Sequence, residues 1–372
     1  MAKDNLILLG VGDVAPSHEP VEEFSTLARP TLATGDICIG QCERVYTERG
    51  SPQVHTHRRK HDKNRLKPHM ASVFRYFNVV SLASNHAMDW GDDGLLDTAE
   101  VLEKIGSRVI GAGRNIAEAR QPAIIEKNGV RVAILAYCSV LREGYAAEPD
   151  KAGVAPLRAH TYYEAEQYYA GFPPKVITVP YQEDMAAMVK DIAKAKKDAH
   201  AVILVCHWGI HHIPRMIPDY QPIYAEAAFE AGADLILGHH AHVPKAIAVH
   251  KGKVCFHSLG NFMTSKSWKE EDSIYADRFG LAVDPDPDFI NLSHGHADAR
   301  RSLIAKAIVS RDGVERVSFL PALIDRKLRP EILLHGDPRF DDAVKYMDWA
   351  SEGYDHKFVV EGDEVVVTGA WI

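Results

Sequence analysis

Acidic, amide and imidazole side chains follow short apolar runs of strand length, and this placement constrains the fold more than any other feature of the sequence. The runs lie between residues 6 and 238, and the polar residues at their ends are Asp13, Glu43, Asn85, His86, His207, His240 and His242. Residues at the carboxyl ends of buried strands in an α/β sheet meet in one crevice, where such folds bind ligands. Because the side chains offer nitrogen and oxygen donors, the pattern predicts a metal site there.

Strand-length apolar runs alternate with segments of helical period, which is the pattern of βαβ units. The clearest helices are predicted over about Gln182–Ala199 and over Tyr220–Ala231, the second ending at Gly232. Tight hairpins are predicted at residues 127–129, 251–253 and 311–313, because Asn-Gly and similar pairs supply the positive φ that such turns need. The spacing of His240 and His242 is that of alternate residues on one side of an extended segment, which would let both imidazoles chelate together.

A single α/β domain over residues 1–372 is the organisation that we expect. The chain has 372 residues with 46% hydrophobic content, enough for one large core. Three segments do not fit regular elements and are predicted to be loop excursions, at about 46–67, 140–180 and 264–300. The residues after them form a β-rich C-terminal tail.

Charge, cysteine usage and hydropathy exclude several classes of protein. The formal net charge of −8 argues against a general nucleic-acid binder. Five cysteines, an odd number, lie mostly inside apolar runs and predict reduced, buried thiols. No apolar stretch reaches the roughly 18 residues that span a bilayer, and the first residues lack a signal peptide. We therefore expect a cytoplasmic protein without a membrane or nucleic-acid partner, and the sequence leaves its oligomeric state unknown.

A second set of polar residues is predicted to bind substrate. Its members are Arg58, Arg59, His211, His212, His294, His296 and Arg300. Arginine binds phosphate or carboxylate through paired hydrogen bonds, so the set favours a small-molecule or peptide-like substrate, anionic substrates included. A solvated surface role is the alternative for each. Cys42, beside Glu43, is either a reactive group or a buried inert thiol, and the second interpretation is favoured.

The combined motifs resemble those of the bacterial capsule-synthesis, or poly-γ-glutamate synthesis, protein family, which belongs to the calcineurin-like metallophosphoesterase superfamily. The matching motifs lie between about residues 5 and 265: Gly12-Asp13, the turn ending at Glu43, residues 81–86 with Asp89 and Gly91, residues 206–209, residues 232–234, residues 238–243 and residues 258–262. The resemblance implies a four-layer α/β/β/α sandwich with a metal site at the carboxyl ends of its strands.

The resemblance also implies a role for each strand-end residue. One or two divalent ions, Mn, Fe or Zn, would be held by Asp13, Glu43, Asn85, His207, His240 and His242. Metal ions polarise a scissile bond and lower the pKa of a water molecule, and Asp13 would share in this chemistry. His86 would protonate the leaving group. Ala15 stands where the superfamily has His, and Glu43 where it has Asp, so we expect one metal site to be weak or a single ion to bind.

Three functions remain open from the sequence. The leading hypothesis is a metal-dependent hydrolase of a phosphoester or amide bond. The first alternative is an epimerase or isomerase that moves a proton at a carbon next to a carbonyl, suggested by the His, Asp and Cys residues and by Ala15. The second alternative is a non-catalytic component of a polymer-synthesis complex. The family is typically membrane-anchored, whereas this sequence shows no anchor, so an intracellular substrate is expected.

Overall fold

The computed structural model describes residues 5–53, 64–264, 280–281 and 297–370. The strands of this part of the chain are β1 (Leu6–Ala15), β2 (Ile37–Cys42), β3 (Val45–Tyr46), β4 (Arg65–Leu66), β5 (Val79–Ser81), β6 (Arg108–Ile110), β7 (Ala112–Gly113), β8 (Ala123–Lys127), β9 (Val130–Cys138), β10 (Gly153–Val154), β11 (Ala159–Glu164), β12 (Lys175–Pro180), β13 (Ala201–His207), β14 (Leu235–His239), β15 (Ile247–His250), β16 (Lys253–Phe256), β17 (Asn261–Thr264), β18 (Arg301–Ser310), β19 (Gly313–Ile324), β20 (Pro330–Ile332), β21 (Lys357–Glu361) and β22 (Glu364–Thr368). Its α-helices are α1 (Arg29–Leu32), α2 (Gly91–Lys104), α3 (Ile116–Ala119), α4 (Gln182–Asp198), α5 (Tyr220–Ala231) and α6 (Pro338–Ser351), and shorter 3-10 turns occupy Val21–Ser25, Pro68–Tyr76 and Ala297–Arg300.

The first sheet has ten strands and combines the two ends of the chain. Its order is β21-β22-β19-β18-β1-β2-β5-β6, with β17 beside β1 and β20 beside β19. Strands β1, β2, β5 and β6 run parallel, whereas β18 pairs antiparallel with β1 from Leu6↔Val309 to Gly10↔Ala305. The C-terminal strands therefore extend the sheet that carries the N-terminal strand.

The second sheet has six strands in the order β15-β16-β14-β13-β9-β8, and its four central strands are parallel. The antiparallel pairs β8–β9, β15–β16 and β18–β19 confirm the three predicted hairpins. Asn128 and Gly129 have φ values of 55° and 73°, as the first of these turns requires. Both predicted long helices are also confirmed, and Gly232 ends α5 with a φ of 115°.

The two sheets pack face to face, with helices on their outer faces. In β13, Ile203 and Val205 belong to the core between the sheets, while the alternate residues Val202 and Leu204 pack with α4 and α5. Gly10 of β1 lies so close to the second sheet that an added Cβ would be 2.5 Å from a methyl group of Leu237. The predicted α/β/β/α sandwich is thus confirmed. None of the described helices is long and apolar enough to span a membrane.

One predicted loop excursion contains regular structure. Within 140–180, β10 pairs with β7, and β11 and β12 form a two-stranded hairpin. The hairpin was missed because β11 is exposed along most of its length and lacks the alternation of a half-buried strand. The C-terminal segment, predicted to be β-rich, also contains the 14-residue helix α6. Most of the 264–300 excursion lies outside the described residues.

Candidate metal centre

Two sheets supply the polar residues of the candidate site from their carboxyl edges. In the first sheet, Asp13 lies near the end of β1, Glu43 directly follows β2, and Asn85 lies in the loop after β5. In the second sheet, His207 ends β13 and His240 directly follows β14. Strands β13 and β14 are aligned so that His207 is paired with His239. The predicted convergence of strand ends is therefore present, and it takes place across two sheets.

The donor atoms form two groups that share one carboxylate. Glu43, His207 and His240 make one group, and Asp13, Glu43 and His242 make the other; within each, the ligand atoms lie within 4.8 Å of one another. All five side chains are buried. A carboxylate has two oxygens and can serve both groups, so Glu43 stands where a bridging ligand would stand.

Asn85 adds a fourth donor atom to the first group. Nε2 of His207 lies 2.8 Å from Oδ1 of Asn85, 3.2 Å from Nδ1 of His240 and 3.4 Å from Oε1 of Glu43. In the second group, Nδ1 of His242 lies 3.6 Å from Oδ2 of Asp13, and Nε2 of His242 lies 3.8 Å from Oε2 of Glu43. Nitrogen and oxygen atoms that share one space in this way suit a borderline divalent cation.

The protonation states of these groups also suit a cation. Burial lowers the pKa of His207 and of His240, and the surrounding imidazoles lower it further, so both rings are held in the neutral form that ligates metal. Burial and the charge of Glu43 raise the pKa of Asp13, while a hydrogen bond from the His240 amide lowers it. Oδ1 of Asp13 is buried and finds no hydrogen-bond donor within the described part of the chain. A bound divalent ion would remove this conflict, and the residues therefore fit one.

His240 and His242 owe their positions to an unusual backbone. His240 and His242 have φ values of 86° and 58°, both in the left-handed region. The extended segment predicted for them is therefore wrong, because the chain turns sharply after β14. Residues other than glycine rarely adopt this backbone conformation, and such strain is concentrated at functional sites. The turn brings the ring of His242 to Asn261, whose Oδ1 lies 2.8 Å from Nδ1 of His242.

His86 lies beside the donor groups and is held by a buried acid. Its Nδ1 is 2.7 Å from Oδ2 of Asp89, which also accepts a hydrogen bond from Nδ2 of Asn64 at 2.8 Å. The other oxygen of Asp89 accepts from Arg142 at 3.0 Å and from the hydroxyl of Tyr145 at 2.9 Å. Burial alone would raise the pKa of Asp89, but the bonds to His86 and Asn64 and the charge of Arg142 lower it to about 2.

The substrate residues predicted from sequence have different positions. The ring of His211 lies 3.9 Å from that of His240 and stacks on His242 at 5.4 Å, and His212 stacks on His242 at 5.7 Å. Both therefore border the donor groups. Nε of Arg300 donates to the carbonyl of Ile324 in β19, a contact with the sheet backbone. The remaining predicted members lie outside the described residues: Arg58, Arg59, His294 and His296.

Several residues near the site were not selected from the sequence. The sequence presents Asp89 only as part of a motif, although its position three residues after His86 is a usable signal. Arg44 is a buried cation whose guanidinium donates to Oδ1 of Asn64 at 2.5 Å, and burial lowers the pKa of Arg44.

Cys42 is a poor nucleophile, because burial raises the pKa of its thiol to about 12. All five cysteines are buried and unpaired, as predicted.

The fold and the site together define a two-sheet α/β protein with a candidate metal centre at its carboxyl edge. The chain belongs to the bacterial capsule synthesis protein family: the family profile described as "Bacterial capsule synthesis protein PGA_cap" matches residues 4–266. This match contains every residue of the two donor groups.

Curated relatives carry names from the same field. The PGA biosynthesis protein CapA of Bacillus subtilis is 30% identical over 245 residues, which cover 64% of this chain and 56% of that protein. A probable polyglutamine synthesis accessory protein of Mycobacterium tuberculosis is 26% identical over 61% of this chain and 55% of its own length. The chain thus spans about half the length of these relatives.

Among solved structures, the calcineurin-like phosphoesterase YfkN of Bacillus subtilis aligns with a TM-score of 0.38 at 13% identity, over 84% of this chain and 87% of that one. A hypothetical protein of Thermus thermophilus aligns with a TM-score of 0.45 at 14% identity, over 85% of this chain and 98% of that one.

Proposed function

We propose that this protein is a metal-dependent hydrolase of a phosphoester or an amide bond in a small-molecule or peptide-like substrate. The observation that carries the proposal is the shared carboxylate of Glu43 between two buried donor groups, with His86 beside them. The donor set admits Mn, Fe or Zn, and one or two ions. Residues of both groups bind the metal: Asp13, Glu43, Asn85, His207, His240 and His242.

A divalent ion held by these residues would supply Lewis acidity to the scissile bond and would lower the pKa of a water molecule. The protein holds the proton for the leaving group. Because Nδ1 of His86 faces the Asp89 carboxylate, the protonated ring donates its Nδ1 hydrogen to Asp89 and presents its Nε2 hydrogen to the leaving group. Asp89 thereby fixes the orientation of a general acid. His211 and His212 border the donor groups on the side of the β13 loop and contact the bound substrate.

Metal analysis and two chromogenic probes test the proposal. The protein is expressed in medium supplemented with Mn, Fe and Zn, and its metal content is measured by mass spectrometry. It is then assayed with a p-nitrophenyl phosphodiester and with a γ-glutamyl p-nitroanilide, before and after treatment with a chelator. We expect a bound ion and chelator-sensitive cleavage of one probe. A protein in which neither mass spectrometry nor calorimetry detects a bound ion would contradict the proposal.

A second candidate is a non-catalytic component of a polymer-synthesis complex. The name of the Mycobacterium tuberculosis relative, an accessory protein, favours it. A stably folded His86→Ala variant separates the two candidates, because a scaffold keeps its cellular role without that imidazole, whereas a hydrolase loses it. The isomerase alternative is weakened by the high pKa of Cys42, which removes one of its candidate bases. Deuterium uptake from solvent into a substrate that is not cleaved would restore it.

A further inference from the structure

A hairpin of exposed aromatic residues forms a separate two-stranded sheet next to the start of α5. It consists of β11, β12 and the turn between them, residues 159–180, and we call it the aromatic hairpin. Its large side chains are exposed: Tyr162, Tyr163, Tyr168, Tyr169, Phe172 and Val176. Tyr163, in β11, is 72% exposed. Exposed aromatic side chains in such number mark an interaction site more often than ordinary surface residues do.

The two edges of the aromatic hairpin differ. On the β12 edge, the amide of Thr178 donates to Oδ2 of Asp219 at 3.0 Å, so this edge is fixed to the start of α5. The amide of Thr178 therefore points away from β11, and in an antiparallel pair its partner Thr161 also points outward. Tyr163, two residues further, points the same way. Within the described part of the chain, no backbone hydrogen bond outside the β11–β12 pair involves Thr161 or Tyr163.

We propose that β11 pairs antiparallel with β11 of a second copy of this chain, so that two hairpins form one four-stranded sheet across a two-fold axis. The outward backbone groups determine the register. Thr161 of one copy exchanges two hydrogen bonds with Tyr163 of the other. By symmetry, Tyr163 of the first copy exchanges two with Thr161 of the second. Tyr162 then lies on the axis and faces its own symmetry copy. A strand without a bulge or a proline, as β11 is, presents a regular edge for such pairing.

Charge favours this occupant. The register places Glu164 of one copy opposite His160 of the other, on the same face as Tyr162, so an acid meets an imidazole at each end of the pair. Tyr162 and Tyr163 flank the axis on opposite faces of β11 and expose together about 250 Å², taking about 200 Å² for each complete ring and its stem. Part of this surface is covered when the two edges pair, and the main-chain hydrogen bonds of the paired edges add to that contact.

Cysteine cross-linking tests the register directly. In Tyr162→Cys the new thiols face each other across the axis at a spacing that a disulfide spans. In the matched control Tyr163→Cys, each thiol lies opposite Thr161 of the other copy, and the two cysteines are offset by two residues. The native thiols are buried and contribute little background. We expect mild oxidation to yield a covalent dimer for Tyr162→Cys and little for Tyr163→Cys. Equal cross-linking of both variants, or none, would overturn the proposal.

Sedimentation of the intact protein over a wide concentration range tests the dimer itself. The wild type should be dimeric, and Thr161→Pro should be monomeric, because proline removes the outward amide of Thr161 and leaves the bonds between β11 and β12 intact. Circular dichroism and the thermal midpoint of Thr161→Pro should match those of the wild type. A monomeric wild type, or a dimer that survives Thr161→Pro, would overturn the proposal. Neither result bears on metal binding, so the proposed activity stands or falls separately.

Discussion

Replacing Asp89 by Asn should weaken both the fold and the orientation of His86. Asp89 accepts four hydrogen bonds at 2.7 to 3.0 Å, from His86, Asn64, Arg142 and Tyr145. Asn keeps one acceptor oxygen and turns the other position into a donor, which then opposes two donors. The pKa of Asp89 falls from 3.8 to about 2 despite burial, mainly through the hydrogen bond and the charge of His86 and then through the bond from Asn64. At about 1.4 kcal/mol per pKa unit, that shift corresponds to about 2 kcal/mol of folding free energy.

The dependence on pH gives the prediction its test. Because the folded pKa lies below the unfolded value, the stabilisation is complete above about pH 4 and is lost as the pH falls towards 2. Urea unfolding should show Asp89→Asn about 2 to 3 kcal/mol less stable than the wild type at neutral pH, with the gap closing in acid. Asp312→Asn, in an exposed turn, is the control and should change stability by less than about 0.5 kcal/mol. A gap that stays constant down to pH 2 would refute the reasoning.

Three further predictions follow from the site and the core. His240→Ala should lower metal content and thermal stability, whereas His86→Ala should keep the metal and slow cleavage about 10²- to 10⁴-fold. Mass spectrometry measures the metal content, and initial rates measure the cleavage. The reverse pattern would contradict the assigned roles. Lys245→Met should raise the free energy of unfolding at neutral pH by about 2 kcal/mol. Burial lowers the pKa of this lysine from 10.5 to about 7, so the wild type loses about 4 kcal/mol as the pH falls over that range, at about 1.4 kcal/mol per pKa unit. The hydrogen bond that methionine cannot make offsets about half of this gain. The variant's advantage in urea unfolding should shrink towards pH 10.5, and a less stable variant would show that the hydrogen bond of Lys245 to the Met216 carbonyl dominates. Gly10→Val should cost about 1 to 3 kcal/mol in the same assay through overlap with Leu237, and Leu237→Ala in the same chain should recover part of it.

The strand ends of the site could be predicted because parallel strands buried on both faces appear in sequence as continuous apolar runs. Asp13, Glu43 and His207 lie within or next to such runs, so their convergence follows from the topology of an α/β sheet. The long helix α4 was equally clear, since its buried Met188 and Ile192 repeat at helical spacing.

Other features depend on contacts between distant residues, which a local pattern does not contain. The partners of Asp89 lie 25 residues before it, at Asn64, and 53 residues after it, at Arg142. The positive φ values of His240 and His242 are imposed by the packing of the turn, because histidine has no intrinsic need for that conformation. The strand β11 was missed for a related reason: an exposed strand carries no hydrophobic alternation to detect.

The origin of the donors in two separate sheets links the proposed metal chemistry to the stability of the fold. The first sheet supplies the carboxylates of Asp13 and Glu43, and the second supplies the imidazoles of His207 and His240. Neither sheet alone has a complete set of ligands, so an ion would bind only when the two sheets are packed together. Its binding free energy would then add to the folding free energy by mass action. Without an ion, the buried carboxylates of Asp13 and Glu43 repel each other, and the same packing works against the fold.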